Sequence, residues 1–262
     1  FYLALTILSM NNCAYCFKKS KLTKEHIIPK FLYSFMKDCG GDQSGFNTKS
    51  NSLIKSEAVI KDVCGECNSG QLSILDSYGK KFFEDNNLFV CEHTNNQLIL
   101  NYDYNMLLRW LLKICYNSFR AAHKDPSIYD KYINYIINGT LSSELKNTCL
   151  IIELLNITPS NKNHNKFSVF LSEEMKINDY LFVVTAKIGA VCFYITIFKP
   201  ELKNWQKKKI AKKFINANGK NMTIIDKKLD KITISKTTKT LENFMRLSYP
   251  INGQQVIRRR TR

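Results

Sequence analysis

Two Cys-x-x-Cys pairs, Cys13-Ala14-Tyr15-Cys16 and Cys64-Gly65-Glu66-Cys67, can each present two thiolates to one metal ion from a tight turn. Together they complete a tetrahedral Zn²⁺ shell. With 47 residues between the pairs, the ion would close a long loop. A closed four-thiolate shell leaves no position for substrate, so the expected role is structural. A redox dithiol would need a thioredoxin-like βαβ setting, which neither pair has. Between the pairs runs Leu22-Thr23-Lys24-Glu25-His26-Ile27-Ile28-Pro29-Lys30, which sets a carboxylate beside an imidazole just before a proline-marked turn. Such a pair can divide the work of phosphodiester cleavage.

The elements that carry these groups must place them together. On an extended segment Glu25 and His26 point to opposite faces, so both enter one site only if the strand bends or ends there, as Pro29 suggests. After the second pair comes Asn68, followed by Gln71, Leu72, Leu75 and Tyr78 at helical spacing. The metal is therefore expected to hold the start of a helix beside the end of the Glu25-His26 strand.

The series Cys-x-x-Cys, Glu-His-Ile-Ile-Pro, Cys-x-x-Cys-Asn resembles the HNH endonucleases of the ββα-metal type, in their zinc-knuckle branch, over residues 11–80. The resemblance implies that His26 is the general base, that Glu25 and Asn68 ligate a catalytic divalent cation, and that Cys13, Cys16, Cys64 and Cys67 hold structural zinc. The family's middle Asn or His, which braces the backbone of the catalytic histidine from the second strand, has no clear counterpart in Glu57–Val63. Asn47 and Asn51 are weak substitutes. Stand-alone members of this broad family serve as phage-defence effectors and as mobile-element or restriction nucleases. The resemblance therefore extends to an antiviral role, with a homodimer or a defence-system protein as partner.

The chemistry is consistent on its own terms. Hydrolysis needs a base for water and a cation for the charge that develops on phosphate. A histidine suits the first task near neutral pH. A hard cation, Mg²⁺ or Mn²⁺, prefers oxygen, which Glu25 and Asn68 supply. The competing readings make His26 a zinc ligand or a surface residue. Lys30 is a candidate contact for the scissile phosphate or a solvated lysine, and Asp76 either orients the site or faces water. Cys91-Glu92-His93 has too few ligands for a metal site and reads as surface. His123, His164 and the isolated Cys39, Cys91, Cys115, Cys149 and Cys192 are given no function.

Further along, the apolar repeat from Asn105 to His123 predicts a core helix of about five turns. Ser127–Ile137 reads as a second helix ended by Asn138-Gly139. Cys149–Ile157, Phe167–Leu171 and Tyr180–Phe198 read as strands, the last broken at Gly189 as a hairpin. Lys203–Asn216 reads as an amphipathic helix in which Trp205, Ile210 and Phe214 alternate with Lys207, Lys208, Lys209, Lys212 and Lys213. Short strands near Met222–Ile225 and Ile232–Ile234, a helix near Leu241–Leu247 and the tail Arg258–Arg262 follow. The fold class is α+β: a zinc-stabilised ββα-metal module over 10–85, then an accessory domain over 100–262, helical, then β-rich and basic at its end.

The 262 residues are 44% hydrophobic and 23% charged, which excludes disordered and collagen-like chains. Basic residues number 39 against 22 acidic. Residues 1–100 hold 11 basic and 10 acidic groups, whereas 199–262 hold 18 and 4. That asymmetry points to nucleic acid, DNA before RNA, through the lysines at 207–213, although an AT-rich coding genome yields lysine without selection for binding. No apolar run approaches the ~20 residues of a membrane span, and paired cysteines in a cytoplasmic protein suggest metal before disulfide. Met10 reads as a natural start, so residues 1–9 stay outside the fold argument. Two functions compete: a metal-dependent endonuclease, and a zinc-stabilised module that binds nucleic acid or protein without catalysis.

Overall fold

The computed structural model describes residues 11–38, 45–47, 52–54, 57–90, 93–122, 127–140, 143–156, 167–172, 175–218 and 221–240. It is a mixed α+β structure. A short ladder, β1 (Asn11–Asn12) with β2 (Lys19–Ser20), carries the first cysteine turn, and β3 (Leu22–His26) leads through Pro29 into α1 (Lys30–Asp38). After the small ladder of β4 (Gly45–Asn47) and β5 (Ser52–Ile54), β6 (Val59–Cys64) returns antiparallel to β3. Leu22 pairs with Cys64 and His26 with Val59, with an irregularity between Thr23 and Glu25.

The second cysteine turn is the short helix α2 (Gly65–Cys67), and a wide helical turn over Asn68–Leu72 joins it to α3 (Ser73–Asp85). Gly70 breaks the helical path there (φ −92°, ψ −109°), so the expected helix is kinked rather than continuous.

An eight-stranded sheet follows. It contains β7 (Gln97–Asn101), β8 (Thr148–Asn156), β9 (Val169–Leu171), β10 (Met175–Asn178), β11 (Leu181–Ile188), β12 (Val191–Phe198), β13 (Thr223–Ile224) and β14 (Lys231–Thr240). Its order is β10-β11-β12-β8-β14-β7, with β9 on β11 and β13 on β8; among the described residues β14–β8 is parallel and the other pairs are antiparallel. Gly189, at φ +59°, makes the β11–β12 turn. Between β7 and β8 lie α4 (Tyr104–Ala121) and α5 (Asp130–Asn138); α6 (Asn204–Asn218) follows β12. Asp103 caps α4 by accepting from the N–H groups of Asn105 and Met106.

The sheet has two covered faces. Phe193 packs on Phe82 of α3, and its neighbour Tyr194 packs on Phe214 of α6. Consecutive strand residues face opposite ways, so α3 and α6 lie on opposite sides. One apolar core runs from Cys13 to Ile234. In it α3 and α4 meet so closely that a Cβ on Gly79 would lie 2.2 Å from the Trp110 ring.

The helices and strands expected between residues 105 and 225 are present within a few residues of their expected ends, the short strand expected at Ile232–Ile234 is the longer β14, and α1, β7 and β10 have no counterpart in the sequence reading. The helix near Leu241–Leu247 and the Arg258–Arg262 tail lie outside the described residues. His93, expected at the surface, is buried, and its carbonyl accepts from the Lys236 ammonium.

Candidate metal centre and adjoining cleft

The two cysteine turns meet. The Sγ atoms of Cys13, Cys16, Cys64 and Cys67 all lie within 4.8 Å of one another, and Cys16 and Cys64 are 3.7 Å apart. Four sulfurs at ~2.3 Å from a tetrahedral zinc stand about 3.8 Å apart, so the cluster has the size of a structural zinc site. The turns are shaped for this. Phe17 takes a left-handed conformation (φ +61°) to close the first one. The Cys13 sulfur accepts from the N–H groups of Tyr15 and Cys64, and the Cys64 sulfur from that of Cys67. Burial pushes the Cys13 thiol up, but the backbone N–H groups of Cys16, Cys64 and Tyr15 outweigh it and bring the group down to about 7.

Beside the cluster lies a cleft of about 510 Å³ whose walls include Thr23, Glu25, His26, Lys30, Asn68 and Asp76. The expected catalytic residues are thus brought together, with Glu25 and His26 at the end of β3. Asn68, on the turn after Cys67, spends its amide N–H bonds on Thr23 Oγ1 and the Lys24 carbonyl, both at 2.9 Å. Its Oδ1 remains as an acceptor. Lys30 opens α1 and is exposed at the rim.

Helix α4 closes the cleft from behind, and sequence reasoning assigned it no such part. Lys113 is fully buried; its ammonium lies 2.6 Å from Glu25 Oε1 and 2.8 Å from Asp76 Oδ2. Burial raises the Asp76 carboxyl above its ordinary value, and the Lys113 charge opposes that rise. One turn on, Asn117 donates to Glu25 Oε1 at 3.1 Å and to the His26 carbonyl at 3.0 Å. Its own Oδ1 accepts from Tyr15 Oη and Arg120, each at 2.7 Å. Two donors on the oxygen and two acceptors for the nitrogen fix the amide's orientation. Arg120 in turn stacks over Tyr116 and pairs with Asp62 at 3.3 Å.

His26 is also held from outside. Its Nε2 lies 2.8 Å from Glu57 Oε2, just before β6. A carboxylate there favours the tautomer with the proton on Nε2 and leaves Nδ1 as the acceptor. The signal for Lys113, Asn117 and Arg120 was present in the sequence: polar residues at i, i+4 and i+7 in an otherwise apolar core helix. Glu57 carried no such mark.

The lysines at 207–213 are elsewhere. They sit on α6, across the sheet from α3. Lys207 is half-buried and donates to Asn147 Oδ1 at 2.6 Å, whereas Lys208, Lys209, Lys212 and Lys213 are exposed. No protein-family model matches the chain, and no curated protein or solved structure matches it either. Among the described residues no helix is long and apolar enough to cross a membrane.

Proposed function

We propose that the chain is a metal-dependent endonuclease of the HNH type that hydrolyses phosphodiester bonds, DNA before RNA. The observation that carries this reading is the cleft gathering Glu25, His26 and Asn68 beside a tetrathiolate cluster. In it His26 Nδ1 takes a proton from water, the hydroxide oxygen bonds to phosphorus, and the bond to the leaving ester oxygen breaks. Glu57 steadies the imidazolium that forms. Glu25 Oε2 and Asn68 Oδ1 would hold a Mg²⁺ or Mn²⁺ ion, whose charge offsets that of the transition state. So small a protein ligand set implies weak binding completed by substrate phosphate. The brace that the HNH resemblance requires comes, in this reading, from Asn117, which reaches the His26 carbonyl from α4 and not from the second strand. A role as a phage-defence effector, with a homodimer or a defence protein as partner, rests on the family resemblance alone.

The test is cleavage of supercoiled plasmid with Mg²⁺ or Mn²⁺. His26→Ala should abolish it while zinc content and fold persist, and no metal concentration should restore it. Glu25→Ala should recover part of its activity at high Mn²⁺. Wild-type cleavage by both variants would sink the assignment. The burial of Glu25, with Oε1 already held by Lys113 and Asn117, favours a second reading, in which this network is only scaffolding for a non-catalytic nucleic-acid-binding module. An inactive wild-type protein that still binds DNA supports that one.

A further inference from the structure

A second concavity, of about 620 Å³, lies between α6 and the sheet edge at β10 and β11. Part of its lining is aromatic and apolar: Trp205 on α6 and Tyr180 and Ile177 at the sheet edge, at 61%, 52% and 44% exposed, are unusually open for large apolar side chains. Cations stand among these rings: Lys209 and Lys213 follow Trp205 along α6, and Lys199 Nζ lies 6.0 Å from the centre of the Tyr180 ring. Among the described residues no carboxylate lines the groove, α6 carries five lysines and no acidic residue, and the nearby Asp179 is paired with Lys176 at 2.8 Å. A duplex keeps its base faces stacked inward and can offer such a groove only phosphates. An apolar peptide would leave the lysines unmatched. Unpaired nucleotides satisfy rings and lysines together, because every base has a face that stacks on an aromatic ring and every linkage carries a charge.

We infer that this groove holds an unpaired stretch of nucleic acid, with bases against Trp205 and Tyr180 and the flanking phosphates at Lys209 and Lys213. The inference rests on the proposed function only in taking nucleic acid as the partner. The groove lies on the α6 side of the sheet, away from the cleft on the α3 side, so it grips a strand and performs no chemistry.

The chain has two tryptophans, and Trp110 is fully buried, so quenching by added ligand reports on Trp205. Titration in magnesium-free buffer with an oligothymidylate should quench the emission to saturation. A blunt duplex and an inorganic polyphosphate of equal charge should bind more weakly and leave the emission unchanged. By polarisation of a labelled oligothymidylate, Trp205→Leu should weaken binding about tenfold or more with the salt dependence kept. Lys209→Gln with Lys213→Gln should instead flatten the slope of log affinity on log salt by roughly 1.4, two phosphates at about 0.7 each. Equal affinity for single strand and duplex, or unaltered binding by Trp205→Leu, overturns the inference. So does a concentration-dependent dimer that Trp205→Leu dissociates, which would make the groove a contact between copies. Because binding is read without cleavage, a failure here leaves the plasmid assay standing, and an inactive cleft leaves this result standing.

Discussion

Lys113 and Lys187 are both buried ammonium groups, one behind the cleft and one in the sheet, and their surroundings differ. Lys113 lies between two carboxylates, Glu25 and Asp76, and so joins β3, α3 and α4. Lys187, on β11, reaches only neutral oxygen, Ser168 Oγ at 2.8 Å and the Ser168 carbonyl at 3.4 Å, with no carboxylate partner among the described residues. Burial pushes Lys187 down to about 8. A buried charge with two counter-charges is part of a network that fails when one member goes; a buried charge with dipoles alone is a cost that the sheet's apolar packing carries. The contrast marks the cleft as the place where a buried ammonium is matched by carboxylates.

The four-cysteine cluster bounds this comparison from above. Cys64→Ser should cost the most, since ion binding worth on the order of 10 kcal/mol is coupled to closing the loop. Elemental analysis should fall from one zinc per chain toward none, and the cleft region should lose its cooperative unfolding. Next comes Lys113→Met, which leaves the buried Glu25 and the half-buried Asp76 without their counter-charge and should destabilise by about 3–5 kcal/mol in urea unfolding. Adding Glu25→Gln should recover part of that loss, a coupling that independent sites would not show.

Lys187→Met should have the opposite sign. Its group titrates near 8 when folded and near 10.4 unfolded. Between those values the unfolded chain binds more protons, so stability rises with pH through that window, and the penalty is fully present below about pH 8. The substitution should therefore stabilise at neutral pH by up to about 3 kcal/mol and erase the alkaline rise. A destabilised Lys187→Met would mean that both lysines are tied into networks and that the contrast is false. Asn117→Ala should be mildest, about 1–3 kcal/mol for the hydrogen bonds it strands. Under the nuclease reading its activity should fall far more than that loss of stability predicts.

What could be read in advance was whatever sits close together in the chain. The cysteine spacing and the Glu25-His26-Pro29 run announce themselves locally, and so do the helical period of α4 and the αL glycines that end α5 and turn β11 into β12. The partners of these groups were not legible, because they are set by packing over long separations. Asn117 meets His26 across 91 positions, and Glu57 meets it across 31. The order of the sheet, with β14 laid parallel to β8, depends on the same long-range packing. Lys113 was passed over because a lysine inside an apolar repeat reads as an interruption, when its burial required a counter-charge that Glu25 and Asp76 supply.

The position of α4 bears on how this protein can be divided. A fragment ending at residue 85 would keep the four cysteines and the Glu25-His26 strand, yet lose Lys113, Asn117 and Arg120, and without Trp110 would open the face of α3 at Gly79 to water. The cleft is therefore not portable as a short cassette. A graft onto another protein, or a split for complementation, has to carry the chain through Ala121, and any swap of the later region among relatives has to keep that helix with the half it serves.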